Sequence, residues 1–134
     1  MDFDEYQERS SKTNIYEKAI DDLLYPIESA LRPSESRRAW HSLHRVRQIL
    51  NWYYVILGLV GEAGELANKA KKITRDRYPR ITDDHDAELG DVMWYIAQAA
   101  VQRNKNLSEY AEDNLNKLSS RQERNVLSGD GDHR

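Results

Sequence analysis

Glu62 and Glu65 stand three positions apart in this 134-residue chain, and Glu88 and Asp91 repeat the spacing. On a helix, residues three apart share one face about a turn from each other, so each pair projects its carboxylates together. Both pairs sit among apolar residues: Leu57, Leu59, Val60 and Leu66 around the first, Leu89, Val92, Met93, Trp94 and Ile96 around the second. Carboxylates placed there are at least partly buried, which is costly unless they are paired or hold a cation. If the two helices pack antiparallel, the four groups converge. An all-carboxylate donor set suits the hard cations Mg²⁺ or Mn²⁺ rather than zinc. Mg²⁺ held this way completes its shell with water and substrate phosphates, which points to nucleotide chemistry. The plainer account is two solvated acidic faces, neutralised by Lys69, Lys71 and Lys72.

The neighbours extend the pattern. From Glu88, helical steps of three and four reach Asp91 and Tyr95, whose phenol suits a sugar or phosphate and equally suits an interface. From Glu65, steps of four and three reach Lys69 and Lys72. Both could neutralise a polyphosphate, although surface salt bridging is the stronger expectation for Lys69. Asn114, Lys117 and Arg121 again lie three and four apart. An amide, an ammonium and a guanidinium on one face suit phosphate oxygens, with an ordinary solvated face as the default.

Helices must position these groups, because strand signals are almost absent and no Asn-Gly or Asp-Gly turn is flanked by alternating apolar residues. Asp2 and Glu5 read as an N-cap and its reciprocal partner. The segment behind them, with Phe3, Tyr6, Ile15, Ala19, Ile20 and Leu23, keeps helical spacing up to Pro26. Pro33 and the N-cap Ser34 start a second pattern that continues to about Lys72. Gly58, Gly61 and Gly64 fall inside it, each costing up to about 1 kcal/mol relative to alanine. That predicts either a break before Asn51 or glycines kept for close helix contact. Asp76 to Arg80, with Pro79, reads as a loop, and Thr82 caps a helix from Asp83 to about Asn104. Ser108 starts the last helix, through Arg124.

The expected fold is all-α, a bundle of four to five helices. Residues 1–127 form one domain, followed by a polar, glycine-rich tail over residues 128–134. An apolar content of 39% spread over so many helices makes a thin core, so oligomerisation is expected to complete it. With no cysteine, a disulfide scaffold, a thiolate zinc site and a cysteine nucleophile are excluded. A net charge of −3 gives no global case for nucleic-acid binding. The apolar run from Val55 to Val60 is far too short to span a bilayer, and the acidic start is no signal peptide. The expectation is a cytoplasmic protein with no membrane partner.

Gly58-Leu59-Val60-Gly61-Glu62-Ala63-Gly64-Glu65-Leu66, followed by Lys71-Lys72 and Arg75-Asp76, resembles the first metal motif of the MazG-like nucleoside triphosphate pyrophosphohydrolases. Glu88-Leu89-Gly90-Asp91-Val92-Met93-Trp94-Tyr95-Ile96-Ala97 resembles their second, and Asn114 to Arg121 is similar to their following Asn-x-x-Lys-Leu-x-x-Arg stretch. The tail from Ser128 to Arg134 is similar to a Gly-Ser-Gly-Asp-Asn-Arg ending, with Asp130 and His133 in place of serine and asparagine. The resemblance implies an all-α enzyme that hydrolyses a (d)NTP to the (d)NMP and pyrophosphate with Mg²⁺, Mn²⁺ being a possible substitute, and works as a homodimer or homotetramer. Carried over by position, Glu62, Glu65, Glu88 and Asp91 would be the metal ligands, and Glu62 or Glu65 would also orient or deprotonate the attacking water. Lys117 and Arg121 would hold phosphates, with Asn114 and Tyr95 near the sugar or a metal-linked oxygen, and Asp132 and Arg134 would close over the nucleotide.

Other features are set aside. His41 and His44 lack a third ligand nearby, and the arginines around them read as a solvated face. Trp52 is the best base-stacking candidate, against a core or interface role. Two further readings stand beside the general enzyme: a catalytically weak helical module that binds nucleotides or a partner, and a diphosphatase restricted to dUTP or dCTP.

Overall fold

The computed structural model describes residues 1–31, 37–76, 82–124 and 126. The chain runs through five helices, α1 (Phe3–Ser11), α2 (Tyr16–Ala30), α3 (Arg37–Arg75), α4 (Asp83–Gln102) and α5 (Leu107–Glu123), with no strand among the described residues. The expected N-cap Ser34 beside Pro33, most of the Asp76 to Arg80 loop, and the tail over residues 128–134 lie outside those residues.

Asp2 caps α1 as expected, its carboxylate accepting the Glu5 N–H at 2.7 Å. Glu5 does not return the bond, and turns instead to Arg9 at 3.5 Å and the amino terminus at 3.9 Å. The single helix expected from Phe3 to Pro26 is two helices. Between them polar side chains capture the backbone: the Ser10 and Ser11 hydroxyls donate to the Gln7 carbonyl, and Thr13 donates to that of Ser10. Asn14 then accepts the Tyr16 N–H at 3.1 Å and opens α2. Such short side chains offer the backbone an alternative to the helical ladder.

Pro26 lies inside α2 instead of ending it. An internal proline costs a helix about 3 kcal/mol, and packing overrides that cost here. Tyr16, Ile20 and Leu24 are buried together with Leu43 and Val55 of α3. Arg47 of α3 also grips both sides of the proline, donating from Nε to Asp21 at 2.7 Å and from its terminal nitrogen to Glu28.

α3 is one unbroken helix of 39 residues, with no break before Asn51. Of the two outcomes foreseen for its glycines, close contact applies at Gly58. A Cβ there would fall 2.1 Å from Cε1 of Tyr95, whereas one at Gly61 or Gly64 would meet nothing within 4 Å. Gly58 opposite Tyr95 and Lys69 opposite Glu88 show that α3 and α4 run antiparallel.

Thr82 begins α4 as expected, its N–H donating to Nδ1 of His85 at 3.2 Å. The helix ends at Gln102, two residues after the buried Ala100, and Asn104 takes a left-handed φ of 52° that stops it. Asn106, not Ser108, caps α5, with Glu109 accepting the Asn106 N–H at 3.0 Å. Ser108 sits in the first turn and ties back to Asp4 through its N–H and hydroxyl, at 3.0 and 2.9 Å. Gln7 clamps the same turn, donating to the Lys105 carbonyl and accepting from the Leu107 N–H. α1 thus packs on α4 and carries α5, while α2 packs on α3.

Tyr16 is the hub of the larger core, stacked on Tyr54 at 4.9 Å and edge-on to Trp94 at 6.4 Å. Beyond that core α3 keeps an exposed apolar row, Val46, Ile49, Tyr53, Leu57 and Val60, at helical spacing. The glycines give a first prediction. Gly58→Ala should cost about 1–3 kcal/mol by forcing the Tyr95 ring aside, and Gly61→Ala should be neutral or stabilising by up to about 1 kcal/mol. Urea unfolding of the two variants measures the difference.

Candidate metal and nucleotide site

The antiparallel register of α3 and α4 gathers the acids. One carboxylate oxygen from each of Glu62, Glu65 and Glu88 can be chosen so that all three lie within 4.8 Å of one another. Glu88 is buried at 9% exposure, Glu62 is half-buried and Glu65 is exposed. Asp91 is exposed and stands outside this group of three, yet close enough for its charge to act on Glu62.

Burial and neighbouring charges shift two of these carboxyls in opposite directions. Burial holds the Glu62 carboxyl above its ordinary value, and the charges of Asp91, Glu65 and Glu88 push the same way. Glu88 moves in the opposite direction, chiefly because Lys69 donates to it. Lys69 Nζ lies 2.5 Å from Glu88 Oε1 and 2.8 Å from the Asp84 carbonyl oxygen. The salt bridge expected of Lys69 is therefore formed, at the edge of the acid cluster and half-buried, not on an open surface.

The fit of the three acids to a hard cation can be judged from their chemistry and spacing. Oxygens sharing one octahedral Mg²⁺ lie roughly 3 Å apart when adjacent and 4 Å when opposite. An inward movement of about an ångström by flexible glutamate side chains closes the group to that size, so the donor set fits.

The remaining candidates divide by position. Tyr95 crosses α3 at Gly58, with Trp94 edge-on at 4.9 Å, and Glu62 and Asp91 both raise its phenol pKa after burial. Lys72 lines a cavity of about 530 Å³ with Lys69, Ile73, Asp76, Thr82, Asp84 and His85. On α5, Asn114 and Lys117 are exposed and Arg121 is buried, and that helix is held chiefly by α1. α3 and α4 alone build the acid cluster. Trp52 lines a separate cavity of about 850 Å³ with Arg45, Tyr53 and Arg103. It stands ten residues before Glu62, roughly 15 Å along the helix. Sequence reasoning passed over Gly58 as a contact to Tyr95 in particular, and over His85. The signal for His85 was its place one turn before Glu88. Its Nε2 is shut off from solvent with no hydrogen-bond partner.

With this geometry in hand the family follows. Residues 54–126, more than half of the chain and the whole span of the acids, match the MazG nucleotide pyrophosphohydrolase domain, and the chain belongs to that family. Over 85 residues it is 59% identical to the Gene 37 protein of Mycobacterium phage L5, a stretch covering 60% of this chain and 75% of that one. No solved structure matches the chain.

The raised Glu62 carboxyl yields a second prediction. An acid whose folded pKa is raised destabilises the fold when ionised, and the penalty fades as pH falls and the proton returns. Metal-free Glu62→Gln should therefore melt at a higher temperature than wild type near neutral pH, with the gap narrowing toward about pH 4, the ordinary glutamate range. Thermal melts across that interval in the presence of a chelator read it directly.

Proposed function

We propose that the chain is a Mg²⁺-dependent nucleoside triphosphate pyrophosphohydrolase that converts a (d)NTP and water to the (d)NMP and pyrophosphate, in nucleotide-pool housecleaning or control. The observation that carries this is the convergence of Glu62, Glu65 and Glu88 within 4.8 Å on two antiparallel helices, in a chain of this family. These three, with Asp91 beside them, would hold the cation, with Mn²⁺ able to replace Mg²⁺. A bound cation supplies charge neutralisation at the attacked phosphoryl group and lowers the pKa of water.

The chain's own residues do the rest. Glu62 or Glu65 orients the attacking water and takes its proton. The oxygen of that water bonds to the α-phosphorus as the bond to the bridging oxygen breaks, and the electron pair leaves with pyrophosphate. No covalent protein intermediate is needed, in keeping with the lack of a nucleophile motif in the sequence. Lys72, Lys117 and Arg121 are assigned to phosphate oxygens, and Tyr95 and Asn114 to the sugar side.

The reading includes a homodimer or homotetramer in the cytoplasm, without nucleic acid or membrane. The exposed row from Val46 to Val60 supports the oligomer, and among the described residues no helix is long and apolar enough to cross a membrane. Light scattering on purified protein should give a dimer or larger, with Leu57→Glu shifting it toward the monomer; a monomeric wild type at tens of micromolar would sink the oligomer.

The test of the reaction is pyrophosphate release from a panel of dNTPs and NTPs with Mg²⁺. Wild type should be active. Glu62→Gln and Glu88→Gln should each lose at least about 100-fold, the upper end of what losing a supporting group around a metal costs. Silence of the wild type on canonical and modified nucleotides alike would defeat the proposal.

A further inference from the structure

The N-terminal half of α3 carries polar groups that the acid site does not use. Arg38, His41, Arg45, Gln48 and Trp52 follow one another at steps of three and four, so they form one stripe along the helix. Its last three members line the cavity of about 850 Å³, together with Arg103 and Asn104 at the end of α4 and Glu17 of α2. That size lies within the roughly 300–1,000 Å³ of small-molecule sites. Trp52 faces roughly 80° around α3 from Glu62, besides standing roughly 15 Å along it, so the cavity is separate from the acids.

The polar groups here are unengaged. Among the described residues the side chains of Arg45, Gln48, Arg103 and Asn104 make no hydrogen bond or ion pair, and the half-buried Trp52 makes no ring contact. Arg47, two residues from Arg45, is by contrast held by Asp21 and Glu28. Glu17 accepts from Gln102 at 2.9 Å, and Gln102 also donates to the Tyr16 hydroxyl at 2.8 Å. The last carbonyls of α4 are occupied as well, Ala100 accepting from the Arg103 and Lys105 N–H groups and Val101 from that of Asn104. Two guanidiniums against the single Glu17 carboxylate leave the cavity positive in a chain of net charge −3.

Guanidinium forks match phosphate oxygens, an indole offers a face on which a base can stack, and side-chain amides supply both donors and acceptors for a base edge. We propose that this cavity is a second nucleotide site, independent of any cation, that takes a nucleoside monophosphate. Arg45 and Arg103 hold its phosphate, Trp52 stacks on its base, and Gln48 and Asn104 meet the base edge. A triphosphate carries more negative charge than two guanidiniums balance, which favours the monophosphate. The site shares no residue with the reaction proposed above, so the two stand or fall separately.

The test is calorimetric titration of the full chain in excess chelator with deoxyadenosine monophosphate, deoxyadenosine and inorganic phosphate. Wild type should bind the monophosphate at least about tenfold more tightly than either fragment, since each fragment lacks the charge-assisted bonds or the stacked base. Arg45 and Arg103 are exposed, so Arg45→Ala and Arg103→Ala should fold normally. Each should raise the Kd for the monophosphate about tenfold, the loss expected of one charge-assisted hydrogen bond. Trp52→Leu should weaken it by a similar factor, and Glu62→Gln should leave it within about twofold, inside ordinary context variation. A monophosphate that binds only with Mg²⁺, or that is lost in Glu62→Gln and kept in both arginine variants, sits at the acids and overturns the second site. Inorganic phosphate bound as tightly as the monophosphate makes the cavity a plain anion site and overturns the nucleotide. No binding of the monophosphate at millimolar concentration overturns the proposal outright.

Discussion

The rest of the site depends on how closely α3 and α4 approach at Gly58. The Tyr95 ring occupies the space that any Cβ at that position would need. Once that contact is set, the antiparallel register is set with it, and a second contact about two turns of α4 away, from Lys69 to Glu88, falls into place. Between the two lie Glu62 and Glu65. A methyl group at residue 58 would have to push the Tyr95 ring off the face of α3.

The charges of the cluster are balanced in an asymmetric way. Glu88, the most buried of the three, has Lys69 to neutralise it, while the charges acting on Glu62 are those of Asp91, Glu65 and Glu88. Like charges in a half-buried groove raise the free energy of the ionised state. The fold accepts that cost because the α3–α4 interface is anchored elsewhere, by Val55, Trp94 and the Tyr16 stack. Stability and chemistry are thus supplied by neighbouring turns of the same two helices.

Much of this was legible in the residues. The spacing of Glu62 with Glu65 and of Glu88 with Asp91 announced two helical acid pairs, and their apolar neighbours announced that the pairs would be partly buried. Thr82 and Asp2 announced helix starts because capping is local chemistry. What was not legible was tertiary. Pro26 reads as a terminator in isolation, and it is tolerated because Arg47, over twenty residues away, braces both sides of it. The break after Ser11 hid in a run of Ser, Thr and Asn whose side chains fold back on the backbone. Asp91 shares its helical face with Glu88, but spacing cannot say which of two carboxylates on a turn reaches furthest toward the partner helix. Nor can it say where α5 packs, so the placing of Asn114, Lys117 and Arg121 rests on family resemblance alone.

α3 is roughly 58 Å long and α4 roughly 30 Å, at the usual rise per residue. The shorter helix therefore covers only part of the longer one, and the N-terminal stretch of α3 is held by α2, through Leu43 and the Arg47 grip. That grip lies at residue 47, more than four turns of α3 before Glu62. Amide exchange should see the two parts of this continuous helix as separate kinetic populations, the stretch under α2 exchanging ahead of the stretch under α4. One helix then serves two packing units, and the acid cluster lies in the one that α4 covers.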